Sequence, residues 1–250
     1  MKKTIVCLIV GLLLMANMAS AQVDYQTTIG ADVHLGSVRF NHLFNNDDEG
    51  TDISLWELVI NGKLKPTPDL MLLINHTLAS ATNTNNDTFA EGTSLSSNYT
   101  QAALLYQFYN DEPLSIYAGL GYHFANNHFR HLIEQNGQLL ENVYLEGSGF
   151  MAASQVTFHV LDNLEIKATI QAAPFYSWTY RVGDTIKDTG GSAYQYLVAA
   201  DYDFNERLVI RVGYGGSRSA VKEIPVSEAF KINKTTFTQG GLQVGVIYKF

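Results

Sequence analysis

From about residue 25 onward, apolar and polar residues alternate with a period of two, and no helical period competes with it. The clearest stretch runs from Leu164 to Val182. Its even positions, Leu164, Ile166, Ala168, Ile170, Ala172, Pro174, Tyr176, Trp178, Tyr180 and Val182, are free of charge. Its odd positions, among them Glu165, Lys167, Thr169, Gln171, Ser177, Thr179 and Arg181, are mostly polar. Successive side chains of a strand point to opposite faces, so this strand separates an oily surrounding from a wet one.

Nine further segments repeat the pattern. Their uncharged faces include Val33 and Leu35, Trp56 and Ile60, Leu72 and Ile74, Leu104 and Phe108, and Leu120 and Phe124. The later ones include Phe150 and Val156, Tyr196 and Val198, Ile210 and Val212, and Val244 and Val246. The opposite faces carry Asp32, His34, Glu57, Lys63, Gln101, Gln155, His159, Asp201, Arg207, Arg211, Gln243 and Lys249. The second and fourth segments are less regular, because Leu55, Val59 and Leu105 share the polar face; their register could slip by one.

The connections between segments alternate in length. The short ones are 65–69, 110–113, 162–163 and 205–206, all built from Pro, Asn and Asp, which accept tight backbone bends. The long ones, about 41–51, 82–97, 126–146, 183–191 and 217–235, are rich in Asn, Asp, Gly, Ser and Thr. With strands running up and down, all short turns gather at one end. Alternating faces, short turns at one end, long loops at the other and an even strand count describe a transmembrane antiparallel β-barrel. Closure is required, because a sheet in hydrocarbon has no water to satisfy its edges. The expected fold is therefore all-β, a barrel of ten strands, or eight if the second or fourth segment is misread. A soluble barrel would carry Lys and Glu outside; here the bulky aromatic face is the uncharged one. Trp56, Tyr122, Phe124, Phe150, Tyr176, Trp178, Tyr180, Tyr194, Tyr196 and Tyr214 gather toward the long loops, and Tyr25, Phe108, Phe158, Tyr202, Phe204, Tyr248 and Phe250 toward the short turns. These two sets predict an aromatic girdle at each bilayer interface. The Leu164–Val182 strand exceeds the roughly 9–11 residues needed to span, so its upper half should project, with Pro174 at a bulge.

Composition agrees. Only 16% of the residues are charged, and 46% are hydrophobic. Residues 1–21 predict an export signal: Lys2 and Lys3, the apolar run Ile5–Met15, and the small-x-small site Ala19-Ser20-Ala21. The expected barrel domain is then 22–250, free of cysteine because Cys7 lies in the leader. Without the two leader lysines, 14 basic residues stand against 24 acidic ones, which makes nucleic acid a poor partner.

The final residues Gln243-Val244-Gly245-Val246-Ile247-Tyr248-Lys249-Phe250 resemble the C-terminal targeting signal of bacterial outer-membrane β-barrels: a polar residue, a glycine two later, then alternation ending in Phe. The resemblance covers eight residues. It implies location in the bacterial outer membrane, contact with its lipid, and assembly by the barrel insertion machinery, with Gln243, Gly245, Tyr248 and Phe250 as the signal.

Candidate chemistry is sparse, and no cofactor or metal motif is present. Asp47-Asp48-Glu49 lacks the spacing of a calcium loop, and Gly213-Tyr214-Gly215-Gly216 precedes no helix. His123, His128 and His131, with Glu134, Glu141 and Ser148, could serve a lipid-modifying enzyme, since a base beside a hydroxyl makes a nucleophile. They do not reproduce the His-x-Ser-Asn motif of lipid A deacylase barrels. An omptin-like protease needs acidic and histidine partners at the external rim, whereas Asp201 and Asp203 flank a short turn. The expected lumen-lining charges are Asp32, Glu57, Lys63, Glu165, Lys167, Arg181, Arg207 and Arg211. About eight strands leave a lumen just filled by side chains, so ten charged strands favour a salt-bridged plug over a narrow pore. The expected function is a structural or surface-interaction barrel, or a narrow passive pore for a small solute. The alternative is a lipid-modifying enzyme with a loop or rim histidine.

Overall fold

The computed structural model describes residues 26–41, 51–82, 94–130, 134–135, 138–139, 142–227, 230–232 and 235–250. The leader 1–21, Tyr25, His42, Asp47–Glu49, His131 and Glu141 lie outside them. In chain order the strands are β1 (Gln26–Asn41), β2 (Thr51–Thr67), β3 (Leu70–Thr82), β4 (Ser94–Asp111), β5 (Leu114–Arg130), β6 (Glu134–Gln135), β7 (Gln138–Leu139), β8 (Val143–Leu161), β9 (Leu164–Val182), β10 (Thr185–Asp203), β11 (Leu208–Val221), β12 (Ile224–Ser227), β13 (Phe230–Ile232) and β14 (Thr235–Lys249). β6–β7 and β12–β13 form small separate hairpins; the other ten close into an antiparallel barrel in the order β1-β14-β11-β10-β9-β8-β5-β4-β3-β2, with β2 returning to β1. β14 seals the barrel against β1 from Thr28↔Lys249 to Asn41↔Thr236, so every central ladder has partners on both sides.

The short turns work by side-chain capping. Thr67 Oγ1 accepts from the Leu70 N–H at 3.2 Å, and Asn205 Oδ1 accepts from the N–H groups of Arg207 and Leu208, both at 2.9 Å. Asp162–Asn163 joins β8 to β9 in two residues.

The outside is apolar in a broad belt. Leu35, Leu104, Leu120, Phe150, Ile170, Val198, Val212, Leu242 and Val244 all stand exposed. An exposed hydrophobic surface on this scale belongs in lipid. Tyr122 packs on Phe124 and Phe150 with ring centroids 4.7 and 5.1 Å away, and Tyr248 on Phe250 at 5.0 Å, forming pieces of the upper and lower girdles. The irregular strands keep their register: Trp56 and Leu104 face outward while Leu55 and Leu105 are buried inside.

Two expectations need correction. The barrel strands are 13 to 19 residues long, so among the described residues the layer beyond the bilayer is largely sheet where long loops are expected. The segment 183–191 is no loop at all. β9 and β10 meet through Gly183–Asp184, where Gly183 takes φ +52°, a left-handed conformation open to glycine at little cost. Second, the girdle assignment fails for Tyr176, Trp178 and Tyr180, which are buried inside the barrel. The cause is a bulge on β9. Between Ala172 and Ser177 that strand has one more residue than the facing stretch of β8, and between Ala173 and Tyr176 one more than β10. Pro174 and Phe175 both point outward there, Phe175 90% exposed, and the parity of every later residue is reversed. Proline, which has no N–H to give a ladder, is a natural residue for this site.

Candidate functional site: the barrel lumen

Inward positions build two tiers. The lower tier, toward the short turns, is polar. Arg211, on β11, chelates Asp201 on the facing strand β10 with Nε and Nη2 at 2.7 and 2.8 Å from the two carboxylate oxygens. Its Nη1 lies 3.6 Å from Asp32 of β1. Lys167 Nζ bridges Asp201 and Glu165 at 2.7 and 2.6 Å, and His159 Nδ1 is 3.2 Å from Glu165. Asn61 donates to Asp32, His34 pairs with Glu57, and Lys249 Nζ holds both carboxylate oxygens of Asp203 at 2.7 Å. Cross-strand neighbours share a face, so sheet register brings these residues together from distant parts of the chain. Buried charges of this kind are stable only when paired and hydrogen-bonded. Beside the network lies a cavity of about 480 Å³, lined among others by Thr28, Lys63, Asn75, Gln101, Gln155, Gln171 and Gln243. It reaches the short-turn end, where Gln26, Glu206 and Phe250 stand around it.

The upper tier is apolar. Val38, Leu55, Ala79, Ala81, Leu95, Phe129, Leu145, Trp178, Tyr180, Val221 and Phe237 pack as one core. Gly147 and Gly191 make room for it: a Cβ at either would collide with the Trp178 ring. Trp178 Nε1 donates to the Ala220 carbonyl at 3.2 Å, which satisfies its only polar atom. Burial pushes the Tyr180 hydroxyl above its ordinary pKa and keeps it protonated. At the boundary of the tiers, Tyr176 Oη lies 2.8 Å from His123 Nδ1, and Tyr99 stacks on His123. Tyr99 also donates to Asn127 and accepts from Gln239, each at 3.0 Å.

Of the residues expected in the lumen, Asp32, Glu57, Lys63, Glu165, Lys167 and Arg211 line the cavity. Arg181 does not. The β9 bulge turns it outward, where it is 45% exposed, pairs with Glu146 at 3.0 Å and lies over the Tyr144 ring at 4.6 Å. Arg207 sits in the exposed 204–207 turn and reaches Tyr248 Oη at 3.4 Å. The histidines expected to act together are separated: His123 is buried inside, while His128 stands on the outer face, stacked on Tyr144 at 4.3 Å and 3.0 Å from Asn142 Oδ1. Ser148 accepts from Tyr122 Oη at 3.2 Å, away from both. What residue-by-residue reading missed is Tyr176, Trp178 and Tyr180 as lumen fillers. Their signal was Pro174 together with the glycines at 147, 149 and 191.

Within the C-terminal segment, Gln243 and Gly245 face inward, Tyr248 and Phe250 outward. Gly245 has a structural reason of its own, because a Cβ there would overlap the Asp32 carboxylate. Gly245→Ala is expected to cost about 1–3 kcal/mol, read as a lower urea midpoint of the refolded barrel. An unchanged midpoint would mean that Asp32 has room to move.

No family model matches the chain, and no curated protein matches it. Solved structures do match. The outer membrane protease OmpT of Escherichia coli aligns with a TM-score of 0.56 at 11% identity, over 89% of this chain and 97% of that one. The translocator domain of the autotransporter NalP from Neisseria meningitidis aligns with a TM-score of 0.50 at 7% identity, over 100% of this chain and 98% of that one. At such identities the likeness is one of fold. The chain has the fold of bacterial outer-membrane β-barrels, with the lipid-facing belt that location requires.

Proposed function

We propose that the protein is a non-conducting outer-membrane barrel that acts as a structural element and, through its projecting upper sheet, as a surface for interaction. The observation that carries this reading is the apolar upper core: Trp178, wholly buried, with Tyr180, Phe129 and Leu145, occupies the lumen where a pore would run. A ten-stranded barrel is close to the size that side chains fill completely. The collar above the belt supports the second half. Arg181, Tyr144 and His128 stack in sequence across three strands, giving a polar and well-ordered outer face. Against a lipid-modifying enzyme stands the separation of His123 from His128. The test is conductance in planar lipid bilayers: the refolded protein is expected to insert without current steps. Regular steps at low voltage would overturn the closed-lumen reading and restore the passive pore.

A further inference from the structure

The lower lumen is more than residual space between salt bridges. Its volume of about 480 Å³ falls within the ~300–1,000 Å³ of small-molecule sites. We infer that it is a blind binding pocket, open at the short-turn, periplasmic end, for a small neutral solute rich in hydroxyl groups, of the sugar or polyol class.

Three features of the wall point to that chemistry. The first is its charge balance. Asp32 and Asp201 are held by Arg211, Glu165 and Asp201 by Lys167, Asp203 by Lys249 and Glu57 by His34. Lys63 apart, an ion entering such a wall finds its counter-charges already engaged and loses its own hydration uncompensated, whereas a neutral molecule does not. The second is the supply of side chains that both donate and accept. Asn75, Gln101, Gln155, Gln171 and Gln195 line the cavity, and a carboxamide can serve a hydroxyl in either role. The third is hydrogen-bonding capacity left unused. Gln101 Oε1 and Gln171 Oε1 are buried without a partner among the described residues, so a small turn of either carboxamide toward the cavity it lines gives a solute hydroxyl an acceptor. Lys63 lines the same cavity, with no hydrogen bond or ion pair to either glutamine among the described residues. Its three N–H groups match solute oxygens as well as they match an anion. Access from the other end is shut by Tyr99, His123 and Tyr176 and by the apolar core above them.

The only cysteine is Cys7, so a thiol placed in the cavity reports on its own. The experiment uses the full chain carrying Cys7→Ser and Asn75→Cys, refolded in detergent micelles, with the rate of modification by a methanethiosulfonate reagent as readout. Thr77→Cys serves as a second cavity reporter should Asn75→Cys fail to fold, and Ser54→Cys on the outer face as control. Glucose or sucrose at tens of millimolar is expected to slow the cavity thiol about tenfold and to leave the outer thiol unchanged. Three results would overturn the inference: a cavity thiol that does not react, one whose rate ignores both sugars, or one protected by sodium phosphate and not by sugar. The pocket and the closed-lumen reading fail separately, because current steps in a bilayer would contradict the latter while sugar protection still stood.

Discussion

Asp201→Ala is expected to destabilise the barrel by about 3–5 kcal/mol, the cost of stranding charge that has been taken out of water. Asp201 is 2% exposed and receives two bonds from Arg211 and one from Lys167. Removing it leaves two cations facing each other inside the sheet, with only Asp32, at 3.6 Å, and Glu165 to answer them. Deleting a charge within a fully paired set is far more damaging than never having built the set. Asp201→Asn retains the shape and part of the hydrogen bonding, so it should fall between wild type and alanine. The measurement is the urea midpoint of the refolded protein in micelles or vesicles. A loss below about 1 kcal/mol, typical of exposed pairs, would show that water reaches the network freely.

A larger effect is expected from truncating the upper core, with Trp178 and Tyr180 both changed to alanine. Both side chains are buried inside the barrel in one apolar core. Truncation of one buried aromatic side chain costs roughly 3–5 kcal/mol, so losing two approaches the whole stability of many domains, about 5–15 kcal/mol. The double variant should therefore lose any compact, heat-modifiable band on unheated gels. Deletion of Pro174 should leave the core in place, because the bulge holds one residue more than either facing strand and points both Pro174 and Phe175 outward. The shortened β9 runs Ala173 in, Phe175 out, Tyr176 in. A double alanine variant that folds with unchanged heat resistance would show that the upper core is dispensable.

The same strand shows how much a reader of the amino acids can see. Ten strands, their order, the outward belt and most lumen charges follow from period-two alternation and from turn residues such as Asp162-Asn163, because both signals are local. The upper sheet was hidden by a change of solvent. Within the bilayer the outer face is apolar, as at Val33, Leu35 and Leu104. Beyond it the outer face meets water and the inner face becomes the core, so Ser37, Ser54, Ser96 and Glu146 point out while Val38, Leu55, Leu95 and Leu145 point in. One continuous strand thus reads as alternation that breaks down, and 94–97, 126–130, 143–146 and 217–221, which continue the barrel strands, look like parts of loops. Arg181 was misplaced for a related reason: a single inserted residue at Pro174 shifts every later position, and parity counted from Leu164 carries the error forward. Charges below the bulge, such as Glu165 and Lys167, escape it.

The pairing of β14 with β1 imposes a timetable on manufacture. Ribosomes deliver the first staple of this cylinder long before its mate, Thr28 waiting for Lys249. Until then each growing polypeptide carries two raw margins able to stick to any neighbour. Nascent copies must accordingly be chaperoned apart through the whole of synthesis, and a message truncated before codon 235 should yield only aggregate or protease fodder.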